Sequence, residues 1–74
     1  RTSREQAVLE ALIARAGRVM SKEQLASQVF GLDEDASPDA IEIYVHRLRK
    51  KLEGDAVRIV TFRGLGYLLE ATGD

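Results

Sequence analysis

Residues 37–53 have the pattern of one amphipathic helix, and this segment limits the folds that the chain can adopt more than any other. Ser37 can accept hydrogen bonds from the first free backbone N–H groups, and Pro38 suits the first helical position, where its missing N–H costs nothing. Gly54 then supplies a left-handed end. Four apolar side chains recur at steps of four, three and four, which stacks them on one side: Ile41, Val45, Leu48 and Leu52.

The other side of this helix is basic towards its C-terminal end. Four residues point away from the apolar stripe at about 100° per residue: Asp39, Ile43, His46 and Lys50. Arg47 flanks them, and Arg49 and Lys51 complete a cationic run over the last two turns. Such a run complements the negative end of the helix dipole, so by itself it indicates a solvated face. The outward branched side chain of Ile43 and the basic hairpin that follows favour nucleic-acid binding instead.

The charge of the chain is unevenly distributed. The net charge of the 74 residues is −1, which is unusual for a DNA-binding protein. Residues 31–42 carry a net −5, however, whereas residues 46–63 carry a net +4. Because salt screens charges beyond about 8–10 Å, a local basic patch can meet phosphates whatever the total charge.

Two capping boxes predict two helices before the basic one. Thr2-Ser3-Arg4-Glu5 places a hydroxyl three residues before a Glu, and predicts a helix over about 3–16. Ser21-Lys22-Glu23-Gln24 predicts a second helix over 22–30, which Gly31 ends. The expected buried stripe of the first helix is Leu9, Leu12, Ile13 and Ala16, with Val8 beside it.

A β-hairpin is expected after the basic helix, which itself is predicted over 38–53. Residues 57–62 are β-branched and roughly alternating, Arg63-Gly64-Leu65-Gly66 is a turn, and a short apolar run follows, giving a hairpin over about 57–70. The chain is thus predicted to be one small domain, residues 1–74. Its expected class is α+β, mostly α: a winged helix-turn-helix of three helices followed by a C-terminal hairpin wing.

The sequence argues against an enzyme. His46 is the single histidine and is expected on a surface helix among arginines, so no Ser-His-acid set or metal cluster can be built from it. The chain has no cysteine, which excludes a thiolate metal site. Gly64-Leu65-Gly66 lacks the third glycine and following helix of a dinucleotide site. We therefore expect no catalytic residues, no metal and no cofactor, and no apolar run is long enough to span a membrane.

Several residues are candidates for DNA contact, each with a plainer alternative. The major groove accepts one helix, in which Ile43 could touch a thymine methyl or be an ordinary exposed aliphatic. Arg47 could bind guanine or phosphate, or form an ion pair with an acid from elsewhere in the fold. Arg63 could probe the minor groove or a phosphate, or simply make the turn polar. Tyr44 could contact phosphate, as could His46, Arg49 and Lys50, but it lies close enough to the apolar stripe to be mostly core.

Taken together, these motifs resemble one known family. Residues 45–52, Val-His-Arg-Leu-Arg-Lys-Lys-Leu, followed by residues 59–67, Ile-Val-Thr-Phe-Arg-Gly-Leu-Gly-Tyr, closely resemble the winged-helix effector domain of OmpR/PhoB-type two-component response regulators. Residues 2–5, 17–21 and 29–31 match other landmarks of that family in order. The resemblance spans essentially the whole chain.

The resemblance implies a function. Such domains control transcription by binding direct-repeat promoter sites on double-stranded DNA, with the third helix in the major groove and the wing in the adjacent minor groove. They bind as a head-to-tail pair driven by a receiver domain that a cognate histidine kinase phosphorylates, and they act in the cytoplasm. An alternative is a winged helix that serves purely as a protein–protein interaction module.

The resemblance also assigns residues. Arg47 occupies the place of the base-contacting arginine and Arg63 that of the wing arginine. The candidate DNA-binding residues are Phe30, Ile43, Tyr44, His46, Arg47, Arg49, Lys50, Thr61, Arg63 and Gly64. The acidic loop is, from its residues alone, a solvated turn, but it corresponds to the segment through which the family contacts RNA polymerase: Leu32, Asp33, Glu34 and Asp35.

The sequence departs from the family in three respects. The four-stranded sheet that precedes the first helix in the family, and the receiver domain, are not in this chain, and a start at Arg1 suggests a part of a longer protein. Asp39 stands where the family often has Arg or Asn, and an acid there would repel phosphate. His46 stands where Arg or Ser is common, so DNA affinity is expected to rise at mildly acidic pH.

Overall fold

The computed structural model describes residues 3–31 and 37–72. The elements are α1 (Arg4–Ala14), α2 (Lys22–Phe30), α3 (Asp39–Lys51), β1 (Val57–Phe62) and β2 (Gly66–Ala71). The predicted order of three helices followed by an antiparallel hairpin is confirmed. We call β1, β2 and the turn between them the wing.

α1 begins with a simple cap rather than the expected capping box. The Oγ of Ser3 accepts a hydrogen bond from the backbone N–H of Gln6 at 3.1 Å, while Glu5 is directed towards α3. The helix ends at Ala14, two residues earlier than expected. The buried side chains are Val8, Ala11 and Leu12, and the prediction that Ile13 is buried is wrong, because 54% of it is exposed. Ala16, also expected in the stripe, is exposed beyond the helix.

α2 agrees with the sequence at both ends. Ser21 Oγ accepts from the N–H of Gln24 at 3.0 Å, and Gln24 Oε1 accepts from the N–H of Ser21 at 2.9 Å, so the capping box is confirmed. Gly31 ends the helix at φ +64°. Leu25, fully buried, fixes α2 to the core.

α3 buries the predicted stripe. Ser37 Oγ accepts from the N–H of Asp39 at 3.2 Å at the helix start. The helix itself is one residue shorter at its beginning and two at its end than predicted. Ile41, Val45 and Leu48 are buried, and Leu52 packs against them partly buried.

The wing is attached to the segment between α1 and α2. We call this segment the connector. Met20 and Tyr67 exchange two backbone hydrogen bonds of 2.8 Å each. Met20 therefore forms an isolated antiparallel bridge on the side of β2 opposite to β1. Gly66 permits this approach, because a Cβ built on it would lie 2.0 Å from the carbonyl oxygen of Met20. The strand β2 starts at Gly66, paired with Phe62, so the turn has three residues rather than the expected four.

One apolar core joins all five elements. α1, α2, α3, both strands of the wing and Met20 of the connector each contribute buried apolar side chains. These are Val8, Ala11, Leu12, Met20, Leu25, Ile41, Val45, Leu48, Ile59, Tyr67 and Leu69. The basic side of α3 is therefore turned outwards by the burial of its opposite side.

Candidate nucleic-acid interface

The outer face of α3 is exposed and mixed in chemistry. It consists of Ile43, His46, Arg47 and Lys50, all exposed, with 54% of Ile43 and 58% of the Arg47 side chain accessible. An isolated branched aliphatic beside three groups that can carry positive charge suits a surface that meets both methyl groups and anions. Sequence periodicity alone placed these residues correctly.

One edge of α3 is tied to the wing. Arg49 donates its Nε–H to the carbonyl oxygen of Ile59 at 3.2 Å, and its Nη2 donates to the hydroxyl of Thr61. About two turns before Arg49, Glu42 accepts from the ammonium of Lys22 at 2.7 Å, and Asp39, at the start of α3, lies 3.5 Å from the same ammonium. The hydrogen bond to Glu42 raises the pKa of Lys22 above its usual range. We call Glu42 and Arg49 the wing-facing edge.

The opposite edge of α3 is tied to α1. Glu5 Oε1 accepts from Lys51 Nζ at 2.6 Å, and Glu5 Oε2 lies 3.5 Å from Arg47 Nη1. The hydrogen bond from Lys51 lowers the pKa of Glu5, against a partial opposing effect of burial, and the charge of Arg47 adds to the lowering. We call Arg47 and Lys51 the α1-facing edge; Arg47 belongs both to this edge and to the outer face, because it lies where the two meet. At 100° per residue, the outer face lies between this edge and the wing-facing edge.

The aromatic candidates, Phe30 and Tyr44, pack against each other and against the core. Tyr44 and Phe30 are both partly buried against the core, with ring centroids 6.3 Å apart. The guanidinium of Arg4 lies over the Phe30 ring, 4.7 Å from its centroid, which is the geometry of a cation–π contact. Tyr44 is mostly a packing residue, as its position beside the stripe indicated.

The tip of the wing is exposed beside a cleft. Arg63, Gly64 and Leu65 form the turn and are all exposed. Below them an open cleft of about 320 Å³ separates the wing from the first turns of α2 and α3, with Lys22, Glu42 and Tyr67 among its lining residues. Burial, and secondly the charge of Glu42, raise the pKa of Tyr67.

The structure brings most of the candidates to one surface but leaves some untested. Ile43, His46, Arg47 and Lys50 share the outer face, and Arg49 joins it to Thr61 on the wing. The predicted polymerase-contact residues Leu32, Asp33, Glu34 and Asp35 lie outside the described residues. Sequence reasoning missed Glu5, whose only signal was an acid placed early on a neighbouring amphipathic helix.

Residues 3–31 and 37–72 contain no group of three or more His, Asp or Glu side chains that could hold a metal ion. In the same stretches, no helix has both the length and the apolar character needed to cross a bilayer.

Comparison with known proteins decides the family. A family model described as "Transcriptional regulatory protein, C terminal" matches residues 1–69. This chain belongs to that family. It is a family of transcription regulators and not an enzyme family. The predicted resemblance to the winged-helix domains of OmpR/PhoB-type response regulators is confirmed.

Individual members of the regulator family are close in sequence and in fold. The transcriptional regulatory protein TctD of Salmonella typhimurium is 58% identical over 69 residues, which are 93% of this chain and 31% of TctD. The chain thus spans about a third of that relative. The DNA-binding domain of the response regulator AdeR, solved in complex with an intercistronic region, is 28% identical with a TM-score of 0.79 over 95% of this chain and 74% of that one.

A third relative was also solved with its target. The DNA-binding domain of Klebsiella pneumoniae RstA, in complex with the RstA box, is 31% identical with a TM-score of 0.74. The alignment covers 92% of this chain and 70% of that domain. The winged-helix architecture predicted from the sequence is therefore confirmed.

Proposed function

We propose that this domain binds double-stranded DNA sequence-specifically, with the outer face of α3 in the major groove and the tip of the wing in the adjacent minor groove. The observation that carries the proposal is that the exposed outer face of α3 carries Arg47, His46 and Lys50, while Arg49 on its flank joins the same helix to strand β1 of the wing. Membership of a family of transcription regulators, and the DNA complexes of the AdeR and RstA domains, support it.

Each candidate has a distinct part in this proposal. Arg47 reads a guanine edge and Ile43 a thymine methyl, because both are exposed near the middle of α3. His46 and Lys50 bind phosphates, and Arg63 with Gly64 enters the minor groove. Four more residues line the rim of the contact: Phe30, Tyr44, Arg49 and Thr61.

The test is selection of duplexes from a random pool by the 74-residue chain, followed by sequencing. A short consensus, present as direct repeats, is the expected result. Recovery of the starting pool without enrichment, together with equal affinity for unrelated duplexes, would refute the proposal and leave the protein-interaction module as the better explanation.

Point variants separate base contact from phosphate contact. Arg47→Ala should cost about 1–3 kcal/mol of binding free energy and relax preference at one base position. Lys50→Ala should weaken binding to all duplexes alike and reduce the salt slope by about one unit. Arg15→Ala, which removes a cation at the far end of α1 from Glu5, is the control and should change neither. If Arg47→Ala weakened every sequence equally, the division of roles would be wrong.

The wider context of the domain belongs to the same proposal. We propose that it is the output domain of a cytoplasmic two-component response regulator, paired head to tail on promoter repeats. Its partners would be a receiver domain, a cognate histidine kinase and RNA polymerase, the last through residues 32–35. Co-purification of polymerase with the full-length protein on promoter DNA, and its loss when residues 32–35 are replaced, would test the polymerase contact.

A further inference from the structure

A single carboxylate on α1 serves two cations of α3. The two oxygens of Glu5 are divided between them: Oε1 accepts from Lys51 Nζ at 2.6 Å and Oε2 lies 3.5 Å from Arg47 Nη1. Arg47 and Lys51 are four residues apart and therefore adjacent on one side of the helix. The Glu5 side chain is only 16% exposed, whereas both cations are more than half exposed. The acid thus lies behind the cations, on the side away from solvent.

This arrangement leaves Arg47 able to bind a second partner. The contact to Glu5 is made through Nη1, whereas the side fork of a guanidinium, Nε with Nη2, points to the other side of the group. That fork matches two adjacent acceptors such as N7 and O6 of guanine. A long contact from an exposed cation adds little to the stability of the fold. The contact between Glu5 and Arg47 instead restricts the rotamers of Arg47, because an unpaired arginine side chain explores many of them.

We infer that Glu5 is a positioning residue for base recognition: from behind α3 it holds Arg47 with its side fork presented to the major groove. The inference rests on the proposed function, since it needs a duplex that Arg47 reads. It assigns to α1 a part in sequence discrimination, although Glu5 itself touches no DNA and carries the wrong charge to do so.

Glu5 therefore has two opposing effects on DNA binding. Its negative charge repels phosphates within a Debye length, so Glu5→Gln should raise affinity for any duplex. Its hold on Arg47 favours the cognate duplex alone, so the same substitution should lower the ratio of cognate to unrelated affinity. A residue with a purely electrostatic influence would raise both affinities and leave the ratio unchanged.

The experiment measures affinities for the selected duplex and for a scrambled duplex at one fixed salt concentration. We expect Glu5→Gln to raise affinity for the scrambled duplex about two- to threefold and to reduce the ratio on the order of fivefold. Glu10→Gln is the matched control, since it makes the same chemical change at an exposed position of α1, and it should keep the wild-type ratio. Circular dichroism verifies folding, and Glu5→Asp, which keeps the charge but shortens the reach, replaces Glu5→Gln if that variant unfolds.

A double-mutant cycle identifies the residue through which Glu5 acts. In an Arg47→Ala background, Glu5→Gln should no longer change the ratio, whereas in a Lys51→Ala background it should still lower it. The inference is overturned if the ratio is unchanged by Glu5→Gln, if the effect of Glu5→Gln persists in the Arg47→Ala background, or if it disappears in the Lys51→Ala background. If the wild-type chain prefers no duplex at all, the proposed function fails first, and that result is distinct from a wild-type preference that Glu5→Gln leaves intact.

Discussion

Arg49 of α3 donates its Nε–H to the carbonyl oxygen of Ile59 at 3.2 Å, and so joins the third helix to the first strand of the wing. Its Nη2 donates to the hydroxyl of Thr61, two residues further along the same strand. One planar guanidinium therefore spans the step between two elements that the proposed function places in different grooves. Because a guanidinium has its donors in a fixed fork, it sets an orientation as well as a distance.

Replacement of either partner should loosen the wing. Arg49→Ala is expected to lower the free energy of unfolding by about 1–2 kcal/mol, since it leaves a part-buried carbonyl without its donor. Thr61→Val should cost about 0.5–1 kcal/mol, and the double variant less than the sum, with a coupling of at least about 0.5 kcal/mol in urea denaturation. Lys50→Ala removes the neighbouring exposed cation and should stay within about 0.5 kcal/mol of the wild type. Strict additivity of Arg49→Ala and Thr61→Val would show that the two do not act together.

A second prediction concerns the contact between Gly66 and Met20. Gly66→Ala would place a Cβ 2.0 Å from the Met20 carbonyl oxygen at a residue whose φ is +143°. Steric overlap and backbone strain together should destabilise the domain by roughly 2–6 kcal/mol, enough to unfold a chain of this size. Gly64→Ala is the control, because Gly64 also has a positive φ, +81°, but open space around it. It should cost only about 1–2 kcal/mol in thermal or urea unfolding, and equal losses at the two glycines would contradict this account.

A third prediction follows from the depressed pKa of Glu5, which the hydrogen bond from Lys51 lowers below its ordinary value of 4.5. A carboxyl group whose pKa is lower in the folded state stabilises the fold above its unfolded-state value, and this contribution is lost as the pH falls through the folded-state value. Stability should therefore decline below about pH 4.5 more steeply in the wild type than in Glu5→Gln. Urea midpoints measured from pH 7 to pH 2.5 test this, and parallel acid limbs for the two proteins would refute it.

A fourth prediction concerns the cap of α2. Ser21→Ala removes the acceptor of the Gln24 N–H and should cost about 0.5–2 kcal/mol. Gln24→Ala should lower the free energy of unfolding by less, because the N–H of Ser21 can donate a hydrogen bond to water when Gln24 Oε1 is absent. Ser27→Ala, at an exposed position inside the same helix, is the matched control and should be neutral or slightly stabilising. A neutral Ser21→Ala would mean that the capping box does not limit the stability of α2.

The sequence predicted α2 to the residue because both of its ends are encoded locally. The capping box at Ser21 and the positive-φ Gly31 are each sufficient to place a boundary without knowledge of the rest of the fold. α1 has no such signal at its end: Gly17 lies three residues beyond Ala14, and the chain leaves the helix before it reaches that glycine. The burial of Ala11 rather than Ile13 follows from which side of α1 meets α3, which no local pattern specifies.

The contacts at the candidate interface were harder to predict than the residues. The period of α3 identified its outward side chains because the apolar stripe fixes the opposite side. It could not pair Glu5 with Lys51, since 46 residues separate them and only the packing of α1 against α3 brings them together. One alternative for Arg47 was an ion pair with an acid from elsewhere in the fold, and Glu5 is such an acid. Arg49 was expected to bind phosphate, which stays a prediction. In the structure its guanidinium already donates hydrogen bonds to Ile59 and Thr61, which no local pattern indicated.

The two backbone hydrogen bonds between Met20 and Tyr67 have a consequence for protein engineering. A hairpin that pairs only with itself could be exchanged between related regulators as a unit. Here, however, strand β2 also pairs with Met20, in the segment that leads into α2. A chimera that imports residues 57–71 from a relative would therefore have to import residues 18–21 as well, or it would join a foreign strand to a native partner of different shape. By the same logic, insertions should be best tolerated at residues 63–65, where the ribbon has already parted from that segment.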